Sequence, residues 1–130
     1  MTRRLVGAGL LGTLVATVCT TVGAALGRAA GVDLEVPDGG EVIPVSGIAF
    51  VTAVLSVVGV LIAVALLRWS GRPADRFLWI AGALTALSLV PPLVSGADVA
   101  TAVTLVALHL LAAAVVIPVL VRGLRGAARP

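Results

Sequence analysis

The chain has 130 residues, of which 60% are hydrophobic and 12% are charged, and its formal net charge is +3. An ordinary soluble domain has about twice that share of charged residues, and a soluble fold of this size buries only about two thirds of its surface. The composition therefore excludes a water-soluble globular domain. It predicts a single domain whose solvent is largely lipid.

All nine basic residues are arginines, and they lie in short clusters at the ends of apolar segments. Arginines in that position act as topology signals, and they form no stripe of the kind that binds nucleic acid. The chain has one cysteine, Cys19, so an intramolecular disulfide is excluded, and with it the class of thiol–disulfide membrane oxidoreductases. The expected partner is the lipid bilayer, and nucleic acid is not an expected partner.

Four segments reach the roughly 20 apolar residues that a transmembrane helix needs. They cover residues 5–27, 47–67, 77–95 and 99–121, and none contains Asp, Glu, Lys or Arg. The predicted fold class is an all-α membrane protein, a bundle of four transmembrane helices in which residues 1–130 form one integral membrane domain. The first span resembles a signal peptide, but its apolar part is longer than the roughly 7–15 residues of a signal h-region. We therefore expect an uncleaved helix.

The connections predict the orientation of the bundle. The N-terminus, the short basic turn 68–76 and the basic tail 122–130 together carry eight arginines, whereas the longer loop 28–46 carries only Arg28. Because cytoplasmic segments are enriched in arginine, both termini are predicted to be cytoplasmic and the loop extracytoplasmic. An arginine-only basic set with abundant Ala, Gly and Val is typical of a GC-rich bacterial genome, so the predicted location is the bacterial cytoplasmic membrane.

The loop 28–46 contains a turn sequence, residues 37–40, between two short apolar stretches, which makes a short hairpin an open alternative. Ser46 is placed to cap the second helix. The loop also has four carboxylates, at Asp33, Glu35, Asp38 and Glu41. Their spacing matches no EF-hand, so a solvated acidic loop is favoured over a cation site, and no metal is expected.

Helices in lipid associate by close packing, so small residues mark their contact faces. The candidate packing residues are Gly23 and Gly27, which form a GxxxG pair, Thr17 in the first span, and Ser56 and Gly59 in the second. They serve either the monomer's own bundle, which is favoured, or a homo-oligomer.

Three prolines interrupt the later spans. Pro91 and Pro92 predict that the third span kinks or ends near Val90, and Pro118 predicts a bend in the last turns of the fourth. Broken helices can expose carbonyl groups to an ion or substrate. Simple kinks whose free groups are satisfied by neighbours are more common.

His109 lies near the middle of the fourth span, where ionisable residues are rare and usually face the protein interior. Asp98 projects within about 20° of it but about 16 Å away along the helix axis. Thr101 lies on the face between them. These three residues form the candidate polar site, with an entrance at Asp98 and a deeper imidazole, but no continuous proton relay.

Two roles of His109 stay open. In the first, a neutral imidazole bonds to a hydroxyl, or to a freed carbonyl, of a neighbouring helix; the candidate hydroxyls are Thr17, Thr52, Ser56, Thr85 and Ser88. In the second, His109 lines a cavity and binds a ligand or takes up a proton. A metal site is not expected, because there is no second histidine or intramembrane carboxylate. No catalytic motif and no cofactor-binding motif is present.

Three stretches carry a family resemblance: "GGEVIPVSG" before the second helix, "ALTALSLVPPL" in the third and "HLLAAAVVIPVL" in the fourth. With the four-span arrangement, they make the chain resemble the small actinobacterial membrane proteins grouped as DUF6069, a family of unknown function. The resemblance covers nearly the whole chain and implies no catalytic residue.

The favoured function is a non-enzymatic structural or accessory subunit, with a membrane protein or a second copy as partner. The alternative is a small-solute, lipid or proton-coupled transport or binding protein that uses His109 in an inter-helix cavity. An enzyme is the least favoured class.

Overall fold

The computed structural model describes residues 2–36, 41–94 and 96–128. In chain order its elements are α1 (Thr2–Ala29), β1 (Glu35–Val36), β2 (Glu41–Val42), α2 (Val45–Trp69), α3 (Pro73–Ser88), α4 (Val90–Val94) and α5 (Val99–Ala128). Within the described residues, four helical stretches are long and apolar enough to cross a membrane: Thr2–Ala29, Val45–Trp69, Pro73–Val94 and Val99–Ala127. The predicted all-α fold with four such helices is confirmed.

The helix α1 ends in a Schellman motif built on Gly31. The amide of Val32 donates to the carbonyl of Gly27 at 3.0 Å, and the amide of Gly31 donates to the carbonyl of Arg28 at 3.1 Å. Gly31 has a φ of 101°, a left-handed conformation that costs glycine little. The motif stops the helix and turns the chain toward the bundle.

The connection from α1 to α2 contains the hairpin that the sequence left open. The strands β1 and β2 pair antiparallel, with Glu35 opposite Val42. The predicted turn 37–40, with Asp38, lies outside the described residues. Just before β1, Leu34 has a φ of 54° and an exposure of 0%. Left-handed backbone is unfavourable for leucine, and its buried side chain offsets that cost by packing between the helices.

The start of α2 differs from the prediction. The helix begins at Val45 with Pro44 in the cap position, and no side chain caps it. Ser46 is therefore the second helical residue, and its expected capping role is wrong. Proline has no amide hydrogen, so Pro44 leaves no donor unpaired just before the helix, and the helix begins two residues earlier than a Ser46 cap would allow.

The third span is broken where its prolines predicted. The helix α3 ends at Ser88 and the short α4 begins at Val90. Pro91 and Pro92 have no amide hydrogen to donate to the preceding turn, and their rings crowd the carbonyls four residues earlier. By contrast, α5 continues through Pro118 and through most of the predicted tail, to Ala128. The tail is helical because Leu124 is fully buried in the core.

The helices α2 and α5 run antiparallel to α1 and pack against it, whereas α3 packs against α5 and α2. Near one end Gly9 lies against Val60 of α2 and Leu120 of α5. Near the other end Gly23 lies against Leu108 of α5. A Cβ at Gly9 would lie 2.6 Å from Val60 Cγ2, and one at Gly23 would lie 2.9 Å from Leu108 Cδ2. A side chain at either glycine would therefore force Val60 or Leu108 to move.

Two apolar clusters fill the ends of the bundle. The larger one lies around Phe77 and includes Leu5, Val60, Leu120 and Leu124. The smaller one packs Leu34 against α1, α2 and α5, and its buried members are Ala24, Leu34, Ile48, Leu105 and Leu108. Many large apolar side chains outside these clusters are exposed, as expected for surfaces that face lipid.

The antiparallel arrangement sorts the charged residues by end. One end carries the start of α1, the turn from α2 to α3 and the end of α5, with the described arginines Arg3, Arg4, Arg68, Arg72, Arg76, Arg122 and Arg125. Trp69 and Trp79 are exposed at that end. The opposite end carries Arg28, the hairpin and the start of α5.

Candidate functional site

The imidazole of His109 is bonded to its own helix. Nδ1 lies 2.7 Å from the carbonyl oxygen of Leu105, one turn earlier in α5. A bond to a hydroxyl or freed carbonyl of a neighbouring helix was one of the two roles that the sequence left open. Leu105 lies four residues before His109, so the imidazole reaches this carbonyl within its own helix. The bond does not depend on how the helices pack.

His109 lines a groove between α2, α3 and α5. The groove has a volume of about 500 Å³ and is open along one side, and this volume is within the range of small-molecule pockets. Its wall is apolar except for five side chains: Thr52, Ser56, Thr85, Ser88 and His109. Four of the five hydroxyls that the sequence proposed as partners of His109 thus share a groove with it, and Thr17 does not line that groove.

Some of these polar atoms have partners inside the protein. Thr52 Oγ1 lies 3.0 Å from Thr20 Oγ1, which joins α2 to α1. Ser88 Oγ donates to the carbonyl of Thr85 at 2.6 Å. In contrast, Ser56 Oγ, Thr85 Oγ1 and His109 Nε2 bond to no atom of the described residues. None of them is sealed in the protein, because no described side-chain nitrogen or oxygen is both fully buried and unpartnered.

Ser56 and His109 lie at a similar depth in the bundle. Helices α2 and α5 begin at the same end, Ser56 lies 11 residues after Val45 (56 − 45), and His109 lies 10 residues after Val99 (109 − 99). At 1.5 Å per residue both are about 15–17 Å from that end, near the middle of an apolar layer about 30 Å thick. The groove therefore offers its unused hydrogen-bonding groups deep inside the apolar region.

Asp98 and Thr101 are placed in a different site, at the start of α5. The amide of Thr101 donates to Asp98 Oδ1 at 2.7 Å, so Asp98 is an N-cap. Thr101 is fully buried, and its hydroxyl donates to Asp33 Oδ1 at 2.9 Å. These residues attach α5 to the connection after α1, and neither of them lines the groove with His109.

Asp33 is the member of this arrangement that the sequence analysis missed as a site residue. Its Oδ1 also accepts a hydrogen bond of 3.0 Å from the amide of Glu35. The Glu35 amide, and after it the Thr101 hydroxyl, hold the pKa of the Asp33 carboxyl below its ordinary value of 3.8 because both donate to the charged form. An aspartate side chain that accepts a hydrogen bond from the amide two residues later is a common turn motif. Its contact with Thr101 is not indicated by the neighbouring sequence.

Of the five predicted packing residues, the three glycines lie close to side chains of α5. Gly23 and Gly27 approach α5, at Leu108 and at Thr104, and a Cβ at Gly59 would lie 3.7 Å from Leu120 Cδ1. Ser56 is buried and lines the groove. Thr17 is half-buried, and its hydroxyl donates to the carbonyl of Thr13 at 2.7 Å. The face of α1 that is most buried contains Gly9, Gly12, Thr13, Ala16, Thr20 and Ala24.

The described residues contain no cluster of three or more His, Cys, Asp or Glu side chains that could hold a metal ion. No Asp, Glu, Lys or Arg side chain lines the groove. The site is thus a mostly apolar groove with a few hydrogen-bonding groups, one of them the imidazole of His109.

The fold and the groove define the class: a small, all-helical protein with four helices suited to span a membrane. A protein-family model for DUF6069, a family of unknown function, matches residues 1–126. The chain belongs to the DUF6069 family. Among curated proteins and among solved structures, no similar chain was found.

Proposed function

We propose that this protein is an integral membrane protein, without catalytic activity of its own, that binds a small lipid-like molecule in the groove between α2, α3 and α5. The observation that carries the proposal is the groove itself, about 500 Å³ with an apolar wall and His109 at mid-depth. Of the two functions that the sequence left open, the groove favours binding over a purely accessory role.

The size of the groove favours a chain-like molecule over a helix of a partner. A transmembrane helix of 20 residues is about 30 Å long and 10–12 Å wide, so it fills roughly 2,500 Å³. That volume is larger than the groove. A partner helix could cover the opening but could not enter it, whereas a single hydrocarbon chain could.

The proposed orientation has both termini in the cytoplasm of a bacterial cell and the hairpin outside. It is supported by the seven described arginines at one end of the bundle, with Trp69 and Trp79 exposed beside them. Arginine is enriched on the cytoplasmic side, and indoles are enriched at the interface. The groove then runs from Ile43 and Gly47, near the outer surface, toward Ile62 and Ile117.

Photolabelling in nanodiscs tests the binding function. The probe is hexadecane carrying a diazirine, and the readout is the fraction of label on peptides from α2, α3 and α5. The variant Ala113→Trp fills the groove, because Ala113 lines it. The matched control Ala114→Trp places the same side chain on the exposed neighbouring position, outside the groove.

We expect Ala113→Trp to reduce the labelling of groove residues several-fold and Ala114→Trp to leave it at the wild-type level. Equal labelling of all three proteins would refute the binding function, because the label would then report only lipid contact. Cross-linking between two copies in discs that hold two, with the groove unlabelled, would favour the accessory role.

A further inference from the structure

The hydrogen bond of His109 determines which ring nitrogen carries the proton. A carbonyl oxygen only accepts hydrogen bonds, so Nδ1 must be the donor in its 2.7 Å contact with Leu105. A neutral imidazole has one N–H and one lone pair. The neutral ring of His109 therefore has its lone pair on Nε2, which is a hydrogen-bond acceptor.

Within the described part of the chain His109 bonds only through Nδ1, and its ring lines the groove, so Nε2 is open to a ligand there. Two of the hydroxyls in the groove already have partners: Thr52 bonds to Thr20, and Ser88 bonds to the carbonyl of Thr85. An acceptor at mid-depth in lipid has no water to satisfy it, and an unmade hydrogen bond there is costly. A ligand that brings a donor to Nε2 removes that cost.

The wall of the groove also restricts the charge of the ligand. No Asp, Glu, Lys or Arg lines it, so beside a neutral His109 neither an anion nor a cation would find an opposite charge. An unpaired charge in this surrounding is strongly unfavourable. The hydroxyls of Ser56 and Thr85 can donate or accept, so they suit a ligand group that does both.

Given the lipid-binding function proposed above, we propose that the occupant of the groove is a neutral amphiphile with a hydroxyl group, a long-chain or isoprenoid alcohol, whose hydroxyl donates a hydrogen bond to Nε2 of His109. The hydrocarbon part of the molecule lies along the apolar wall. The hydroxyl oxygen is then free to accept a hydrogen bond from Ser56 or Thr85.

Nitrogen NMR tests the proton position and the contact together. The chain has a single histidine, so protein labelled with ¹⁵N-histidine gives signals only from His109. In bilayers we expect a protonated Nδ1 and an unprotonated Nε2 in the neutral ring. Added hexadecanol is expected to shift the Nε2 signal, whereas hexadecyl methyl ether, which has no donor, leaves it in place. A proton on Nε2 in the neutral ring would overturn the inference.

Competition against the photoprobe measures the preference. Hexadecanol, hexadecyl methyl ether and hexadecane are compared in the wild type and in His109→Phe, which keeps an aromatic ring but has no acceptor. We expect hexadecanol to compete about fivefold better than the ether in the wild type, the factor that corresponds to one ordinary hydrogen bond. The preference should disappear in His109→Phe.

The two levels of the proposal fail differently. If all three compounds displace the probe equally from the wild type, the groove binds lipid-like molecules but does not recognise a hydroxyl, and the inference is wrong. If none displaces it, and Ala113→Trp also has no effect, the binding function itself is wrong. The wild-type comparison needs no variant, so it holds even if His109→Phe does not fold.

Discussion

The hydroxyl of Thr101, at the start of α5, donates a 2.9 Å hydrogen bond to Oδ1 of Asp33, which lies 68 residues earlier in the chain. The same carboxylate accepts the amide of Glu35. Thr101 is also the residue whose amide is capped by Asp98. One buried threonine thus connects the end of the first helix with the beginning of the last, at the end of the bundle opposite the arginines.

The first prediction concerns this connection. Thr101→Val keeps the shape of the side chain and removes the hydroxyl, so we expect it to lower the unfolding temperature and to speed amide hydrogen exchange in the hairpin. The control is Thr104→Val, because the Thr104 hydroxyl donates only to the carbonyl of Ala100 in its own helix. Equal effects of the two variants would show that the contact with Asp33 does not stabilise the fold.

The second prediction concerns the stability of the fold at acidic pH. Because hydrogen bonds from Glu35 and Thr101 lower the pKa of Asp33 in the folded protein, its charged form stabilises the fold. That contribution is fully present above the unfolded pKa of 3.8 and is lost as the pH falls through the lower folded pKa. We therefore expect the difference in unfolding temperature between the wild type and Asp33→Ala to shrink below about pH 4. A difference that grows on acidification would contradict the assignment.

The third prediction uses two glycines of the same helix. At Gly9 a Cβ would lie 2.6 Å from Val60 Cγ2 and 3.0 Å from Leu120 Cδ2, whereas at Gly7 it would meet nothing within 4 Å. Valine is stiff at χ1, so Val60 cannot easily move aside. We expect Gly9→Ala to cost about 1–3 kcal/mol of unfolding free energy.

Gly7→Ala is the control for this prediction, and its effect should be neutral or slightly stabilising because alanine is the better helix former. Both variants can be measured by reversible unfolding in mixed micelles. If Gly7→Ala is as harmful as Gly9→Ala, the close packing of α1 against α2 and α5 is not the cause.

The fourth prediction concerns orientation. With Cys19→Ser as background, Glu35→Cys lies in the hairpin and Gly71→Cys lies in the turn between α2 and α3, both at exposed positions. In intact cells a membrane-impermeant maleimide is expected to label Glu35→Cys but to label Gly71→Cys only after permeabilisation. The reverse pattern would place the arginine-rich end outside.

Part of this protein follows from local sequence. The four spans follow because a helix of about 20 apolar residues without charge matches the hydrocarbon core of a bilayer. The break after Ser88 follows because Pro91 and Pro92 disrupt the helix before them. The predicted basic tail 122–130 is helical as far as Ala128, and its Leu124 is buried in the larger cluster with Leu5 of α1.

Only the tertiary structure decided which polar groups meet. Helical spacing placed Asp98 and His109 on a similar face, but packing assigns Asp98 to a helix cap and His109 to a groove with Ser56 and Thr85. The contact of Asp33 with Thr101 joins residues far apart in sequence, and the left-handed Leu34 is held by its burial. The helical periodicity of the sequence predicts where a side chain points on its own helix. Which residues of other helices it meets depends on how the helices pack.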